Sequence, residues 1–320
     1  GYPWFKCRAR DMFIALPGLT LSINERDYFE LVMETAMRGL QEFMAGQPLS
    51  VKIAEIEQPD VMLWAVWCIQ QYAKDAGLKA CQSRYGEQLH AILSFIESGH
   101  HPHLTLKENG LVYTEGHEKP MTWMNSMADG HPIVPRSGYI VEFNALWYNA
   151  LKFSAEMAAF MHNEAEEKRL DNLAMRCQQA FVSCFVNEYG YLFDYVDEGP
   201  QDWSVRPNMI FAIALDYSPL NQQQKKSVLD VCTRELLTPK GLRTLSPKSN
   251  GYTPLYTGPQ RQRDYAYHQG TAWPWLGGFY MEACLKLYKR TRLSFIERQM
   301  VGYEDEMTHH CLGTIPELFD

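Results

Sequence analysis

Five segments concentrate the side chains that recognise and cleave polar small molecules. They are residues 1–21 (GYPWFKCRARDMFIALPGLTL), 121–151 (MTWMNSMADGHPIVPRSGYIVEFNALWYNAL), 194–212 (DYVDEGPQDWSVRPNMIFA), 236–276 (opening LLTPKGLRTLSP, closing RDYAYHQGTAWPWL) and 312–320 (LGTIPELFD). Each is dense in Trp, Arg, Asp, Asn, Gln or His. Flat aromatic faces with polar handles suit a sugar-binding cleft, and they suit a packed core equally well. The chain is rich in them, with 8 Trp and 18 Tyr among 13% aromatic residues.

Other chemistries find less support. His100-His101-Pro102-His103 crowds imidazoles as a metal site would, but no carboxylate or Cys spacing stands beside it, and a solvated turn is expected. No G-x-S-x-G elbow and no phosphate-binding glycine loop is present. Eight Cys are scattered without a C-x-x-C pair, which reads as buried free thiols in a reducing, cytoplasmic compartment. The 38 acidic against 30 basic side chains argue against a nucleic-acid surface, which needs clustered Lys and Arg. No apolar run approaches the roughly 18–20 residues that span a bilayer.

The elements that must position these segments are helices. Apolar residues at helical spacing predict helices over about 27–44, 60–76, 80–96, 140–162, 165–186, 207–216, 221–236 and 270–288, with a weaker one at 295–308. Asp60 is expected as an N-cap and Gly77 as a C-cap. A hairpin is predicted from 104–106 with 111–113 around Asn109-Gly110, and a second within 189–197. The 320 residues read as one all-α domain in which helix pairs alternate with long loops at 99–139, 187–206 and 237–269. Loops of that length usually carry function. Helical hairpins with loops gathered at one end suggest an α/α toroid, although period and spacing alone do not separate it from an irregular bundle or a solenoid.

The five segments, in this order, resemble the C-terminal glucosidase domain of glycogen debranching enzymes, the amylo-α-1,6-glucosidase family. The resemblance covers nearly the whole chain. It implies an (α/α)6 toroid similar to the glucoamylases, and hydrolysis, with inversion, of the single α-1,6-linked glucose left on a trimmed glycogen, limit dextrin or maltooligosaccharide branch. It implies no metal and no organic cofactor. Inversion requires an acid for the leaving oxygen and a carboxylate to activate water, roughly 6.5–9.5 Å apart. The family pattern continues past Asp320, so an incomplete toroid prone to self-association is expected. Gly1-Tyr2-Pro3-Trp4 does not read as a natural start, which predicts a preceding segment.

Residue by residue, the resemblance assigns Arg10 and Asp11 to hydroxyls of the non-reducing glucose, with Trp4 as a wall. Read without it, Arg10 and Asp11 form an ion pair and an N-cap. Glu317, in Gly313-Thr314-Ile315-Pro316-Glu317, matches the catalytic base; otherwise it is a first-turn Glu after a proline. His268, Gln269 and Trp273 match cleft-lining positions, Arg206 and Asp202 a supporting loop, and Trp123 the segment that carries the acid. The departure is Asn125, where much of the family has the general acid Asp. Asn has no proton to give. Asp129, on the same loop, is the first choice to replace it, and Glu142, at a helix start, the second; an inactive, glucan-binding chain is the alternative.

Overall fold

The computed structural model describes residues 6–309 and 313–320. Helices make up 56% of the structure, and among the described residues no strand exceeds three residues, so helix packing carries the architecture. The chain divides into two compact units, residues 1–114 with 146–177, and 115–145 with 178–320.

The first unit contains α1 (Ala9–Leu19), α2 (Arg26–Met44), α3 (Val61–Ala76), α4 (Leu78–Glu97), α5 (Val141–Phe160, from Leu146 onward) and most of α6 (Glu164–Phe185). Helix α3 is apolar around its circumference and is buried almost throughout, whereas α2 and α4 bury one stripe each: Phe29, Met33, Ala36, Met37 and Leu40, and Cys81, Tyr85, Leu89, Ile92 and Ile96. Helix α3 packs on both α1 and α4. Gly77, at φ 88°, closes α3 as expected, its N–H bonding to Ala73 O. Asp60 does not cap α3. Its carboxylate instead receives Arg10, 50 residues earlier, and the indole N–H of Trp64. The hairpin at Asn109-Gly110 forms as predicted, pairing Thr105–Leu106 with Val112–Tyr113.

The second unit contains α7 (Phe211–Ala214), α8 (Gln222–Glu235), α9 (Gln260–Ala266), α10 (Pro274–Tyr288) and α11 (Leu293–Glu304). The helix expected over 207–216 opens as a 3₁₀ turn at Pro207–Ile210 and ends at Ala214. Helix α9 interrupts the stretch read as a loop. Strand Tyr195–Val196 pairs with Tyr139–Ile140, and the hairpin predicted within 189–197 does not form: Leu192 bridges Val186 and Val196 bridges Gln201, both partners lying outside that stretch. Gly138 (φ 95°) lets those strands meet: a Cβ there would lie 2.4 Å from Val196 O.

Seven described cysteines are unpaired, and Cys68, Cys81, Cys177, Cys232 and Cys284 are buried. His101 is buried, with Nδ1 accepting from the His103 N–H, whereas His100 and Pro102 are exposed, so the solvated turn expected of that run fails only at His101. Among the described residues no Cys/His/Asp/Glu group suits a metal, and no helix is long and apolar enough to cross a membrane.

Candidate active site

The second unit assembles four of the chemistry-rich segments. Strand Ala272–Trp273 pairs with Gly241–Arg243, and Ala272 exchanges two backbone hydrogen bonds with Phe319, of 2.7 and 2.8 Å. The bridge fixes the backbone two residues from Glu317. Glu317 itself lies on an irregular, exposed stretch, and no helix follows Pro316 within the described residues. Its Oε2 accepts a 2.6 Å hydrogen bond from the Tyr267 hydroxyl.

Tyr267 is one wall of an aromatic cluster. The His268 ring stacks on Trp273 at 5.2 Å and 24°, meets Trp123 edge-on at 5.3 Å, and lies 4.7 Å from the Tyr267 ring. Trp123 also touches Trp273 and Trp275. Its indole N–H donates to Asn208 Oδ1 at 2.7 Å, which fixes the ring's rotation. Burial holds His268 neutral, its pKa pushed well below the ordinary value, with Arg206 and Arg136 adding to the effect. Neither imidazole nitrogen has a hydrogen-bond partner among the described residues, and both are closed off from solvent by the surrounding rings.

Arg206 is buried and organises this cluster from behind. It donates to the carbonyls of His268 (2.9 Å) and Thr244 (3.2 Å) and to Gln269 Oε1 (2.8 Å). Gln269 therefore keeps its amide N–H groups for other acceptors. The expected support role of Arg206 and cleft position of Gln269 are compatible with this geometry. Gly270 (φ 143°) completes the turn, packed so close to the Tyr252 ring that a Cβ would sit 2.7 Å away.

A buried ionic network lies beneath Asn208. Arg136 binds Glu142 with both terminal nitrogens (2.5 and 2.6 Å) and Asp194 through Nε (2.6 Å), while Asn208 Nδ2 donates to Asp194 Oδ1 at 2.7 Å. Burial raises the Glu142 carboxyl's pKa against the opposing pull of Arg136. Both Glu142 oxygens face a guanidinium, so the side chain is arranged as an anchor.

The expected substitutes for the missing acid are placed differently from what donation demands. Met127–Ala128 pairs with His131–Pro132. Asp129-Gly130 forms the hairpin tip with φ of 53° and 85°. That is the left-handed geometry that Asp-Gly turns favour. The Asp129 carboxylate is exposed, and Arg261 holds it at 2.7 Å. That hydrogen bond lowers its pKa, opposite to the raised value expected of a proton donor. Asn125 is half-buried just before this hairpin, and neighbouring Ser126 ties the loop to Asp264 O.

In the first unit, Arg10 is buried and makes a two-pronged contact with Asp60 at 2.7 and 2.8 Å. Asp11 lies exposed in the first turn of α1, inside the helix and not at its cap. Trp4 falls outside the described residues. Sequence reading passed over Tyr267 and Asp194, although each lies inside a matched segment; Tyr267 directly precedes His268-Gln269, which was the available signal.

Residues 1–320 match the model of a family described as amylo-alpha-1,6-glucosidase. A glycogen debranching enzyme from Saccharomyces cerevisiae is 27% identical over an alignment of 218 residues that covers 54% of this chain. The match spans 14% of the length of that relative. Among solved structures, a GH63 mannosylglycerate hydrolase from Thermus thermophilus, in complex with glucose, is similar with a TM-score of 0.63 at 13% identity, over 97% of this chain and 86% of that one. An uncharacterized conserved protein from the same organism gives 0.62 with the same identity and coverage. At that identity the likeness is one of fold, the all-α (α/α)6 toroid class that the family resemblance implied.

Proposed function

Because the chain belongs to the amylo-alpha-1,6-glucosidase family, we propose that it is a glycoside hydrolase removing α-1,6-linked glucose from trimmed branches of glycogen, limit dextrins or maltooligosaccharides. The observation that carries this reading is Glu317 beside the Trp123, Tyr267, His268 and Trp273 cluster, its carboxylate oriented by the Tyr267 hydroxyl. Glu317 takes a proton from water as that water attacks the anomeric carbon. The glycosidic C–O bond breaks on the opposite face, giving inversion, and with Asn125 in place of an acid the leaving oxygen takes its proton from solvent water. Gln269 supplies amide groups for sugar hydroxyls and the half-buried Tyr267 ring an apolar face, with His268, Trp123 and Trp273 packed behind them as support. The unpaired, mostly buried cysteines support a reducing, cytoplasmic setting.

One observation favours a second reading, a chain that binds glucans and turns them over poorly. Asn125 cannot protonate the leaving oxygen, and Asp129 is held ionised by Arg261. A positioned acid contributes about 10²–10⁴-fold. An assay of free glucose from a 6-α-glucosyl maltodextrin separates the two. Release abolished by Glu317→Gln supports the hydrolase; saturable binding of the same oligosaccharide without release supports the binder.

A further inference from the structure

A concavity in the same unit has no part in the arrangement above. It encloses about 620 Å³. That lies within the range of roughly 300–1,000 Å³ typical of ligand sites. Its wall is formed by residues 189–205 on one side and by the end of α8 with residues 246–250 on the other. Glu317, Asn125, Asp129, His268 and Trp273 do not line it.

Its chemistry narrows the ligand. Tyr189 and Trp203 line it while 67% and 47% exposed, a costly way to keep large rings unless something covers them. The rings stand 6.0 Å apart at 69°. Trp203 does not swing freely: Phe193 meets its ring edge-on at 4.6 Å, and the Tyr191 hydroxyl donates to its carbonyl at 2.9 Å. The loop beneath is fixed by Asn187, whose Oδ1 accepts from the N–H groups of Tyr189 and Tyr191.

Charge excludes ionic ligands. Two cations, Arg234 and Lys248, line the cavity with two carboxylates, Glu235 and Asp202. Glu235 is satisfied by Lys248 (2.8 Å), Arg234 (2.9 Å) and the Ser246 hydroxyl (3.2 Å). The balance offers nothing to a phosphate or a polycation. Asp202 is bonded at Oδ1 by the Ser204 N–H, and its Oδ2 lies 3.9 Å from Arg206, beyond hydrogen-bond reach. Rigid aromatic faces, a side-chain acceptor, and the amides of Gln201 and Asn250 compose a surface for a neutral, polyhydroxylated ligand.

We propose that this groove is an accessory site for an α-glucan chain, which holds the polymer while one branch end is presented to Glu317. The identity of the saccharide rests on the glucosidase reading; the site's existence rests on the groove. Its test uses the chain with Trp203→Ala and, separately, Tyr189→Ser, the latter altering a largely exposed ring. Affinity electrophoresis in glycogen-containing gels gives the dissociation constant, and glucose release from a short 6-α-glucosyl maltodextrin monitors the candidate active site. Each substitution is expected to weaken glycogen binding about tenfold, the scale of losing one aromatic anchor, while release from the short substrate stays within about twofold. Glycogen affinity unchanged in both variants overturns the site, whatever the turnover. Weakened glycogen binding in a chain that releases no glucose supports the groove and removes only the hydrolase reading.

Discussion

Tyr267 donates its hydroxyl to Oε2 of Glu317 at 2.6 Å, joining residues 50 positions apart. The bond links the C-terminal segment to the aromatic cluster, and it aims one carboxylate oxygen while leaving the other for water. A base acts only within hydrogen-bond reach of the proton it removes.

Tyr267→Phe keeps the ring and deletes that donor. A fall in kcat of about 10²-fold is expected, the scale of an ångström of misplacement, with KM changed by no more than about threefold. Steady-state kinetics on the short branched substrate check it. An unchanged kcat means that Tyr267 does not position the base.

Restoring the acid is a separate experiment. Asn125→Asp is expected to raise glucose release by about 10²–10⁴-fold. Asp129→Asn is expected to leave the rate within about twofold, because a turn carboxylate whose pKa Arg261 lowers has no proton to give at neutral pH. Loss of activity in Asp129→Asn would return the donor role to Asp129.

Glu142 is predicted to matter for stability. Glu142 and Arg136 are each 1% exposed. Glu142→Gln leaves the guanidinium with only Asp194 as a charged partner, and breaking a buried pair costs about 3 kcal/mol or more. Chemical denaturation should show that loss; a change within about 0.5 kcal/mol, the scale of a neutral surface substitution, would contradict the anchoring role.

His101 gives the fold a pH dependence. Burial lowers its pKa from 6.5 to about 4, with His103 adding a smaller push. The folded ring stays neutral while the unfolded chain takes up a proton below about pH 6.5, so the contribution is complete above that pH and disappears as pH falls through about 4. The shift corresponds to roughly 3 kcal/mol. Stability measured at pH 7 and pH 4.5 should therefore differ less in His101→Gln than in the unaltered chain. An equal difference in both would rule His101 out.

Helices with a strong apolar period were legible from sequence, because burial of one stripe leaves a 3.6-residue signature that local reading detects. Asp60 shows where such reading stops. It stands where an N-cap belongs, yet a buried Arg10 needs a counterion, and that long-range demand determines its role. Helix α1 was legible only in part, since Pro17 and Gly18 lie near its end and argue locally for a turn. In the site, the matched segments pointed to Trp123, His268 and Trp273, which the fold brings together. Tyr267 was invisible as a partner of Glu317, since no local pattern records so distant a contact. The turn at Asp129 was legible but overlooked. Its spacing from Asn125 suggested a donor, while the Asp-Gly dipeptide was signalling a turn.

Everything in the mechanism turns on Glu317 activating water for a single displacement at an α-1,6-linked glucose. Proton NMR of the first turnovers on a 6-α-glucosyl maltodextrin reads this out, because the released anomer reports which face water attacked. β-Glucose is expected first, decaying to the equilibrium mixture by mutarotation, with no signal from Glu317→Gln. Initial release of α-glucose, or an undiminished β signal in that variant, would refute the assignment of Glu317 as the base of an inverting hydrolysis.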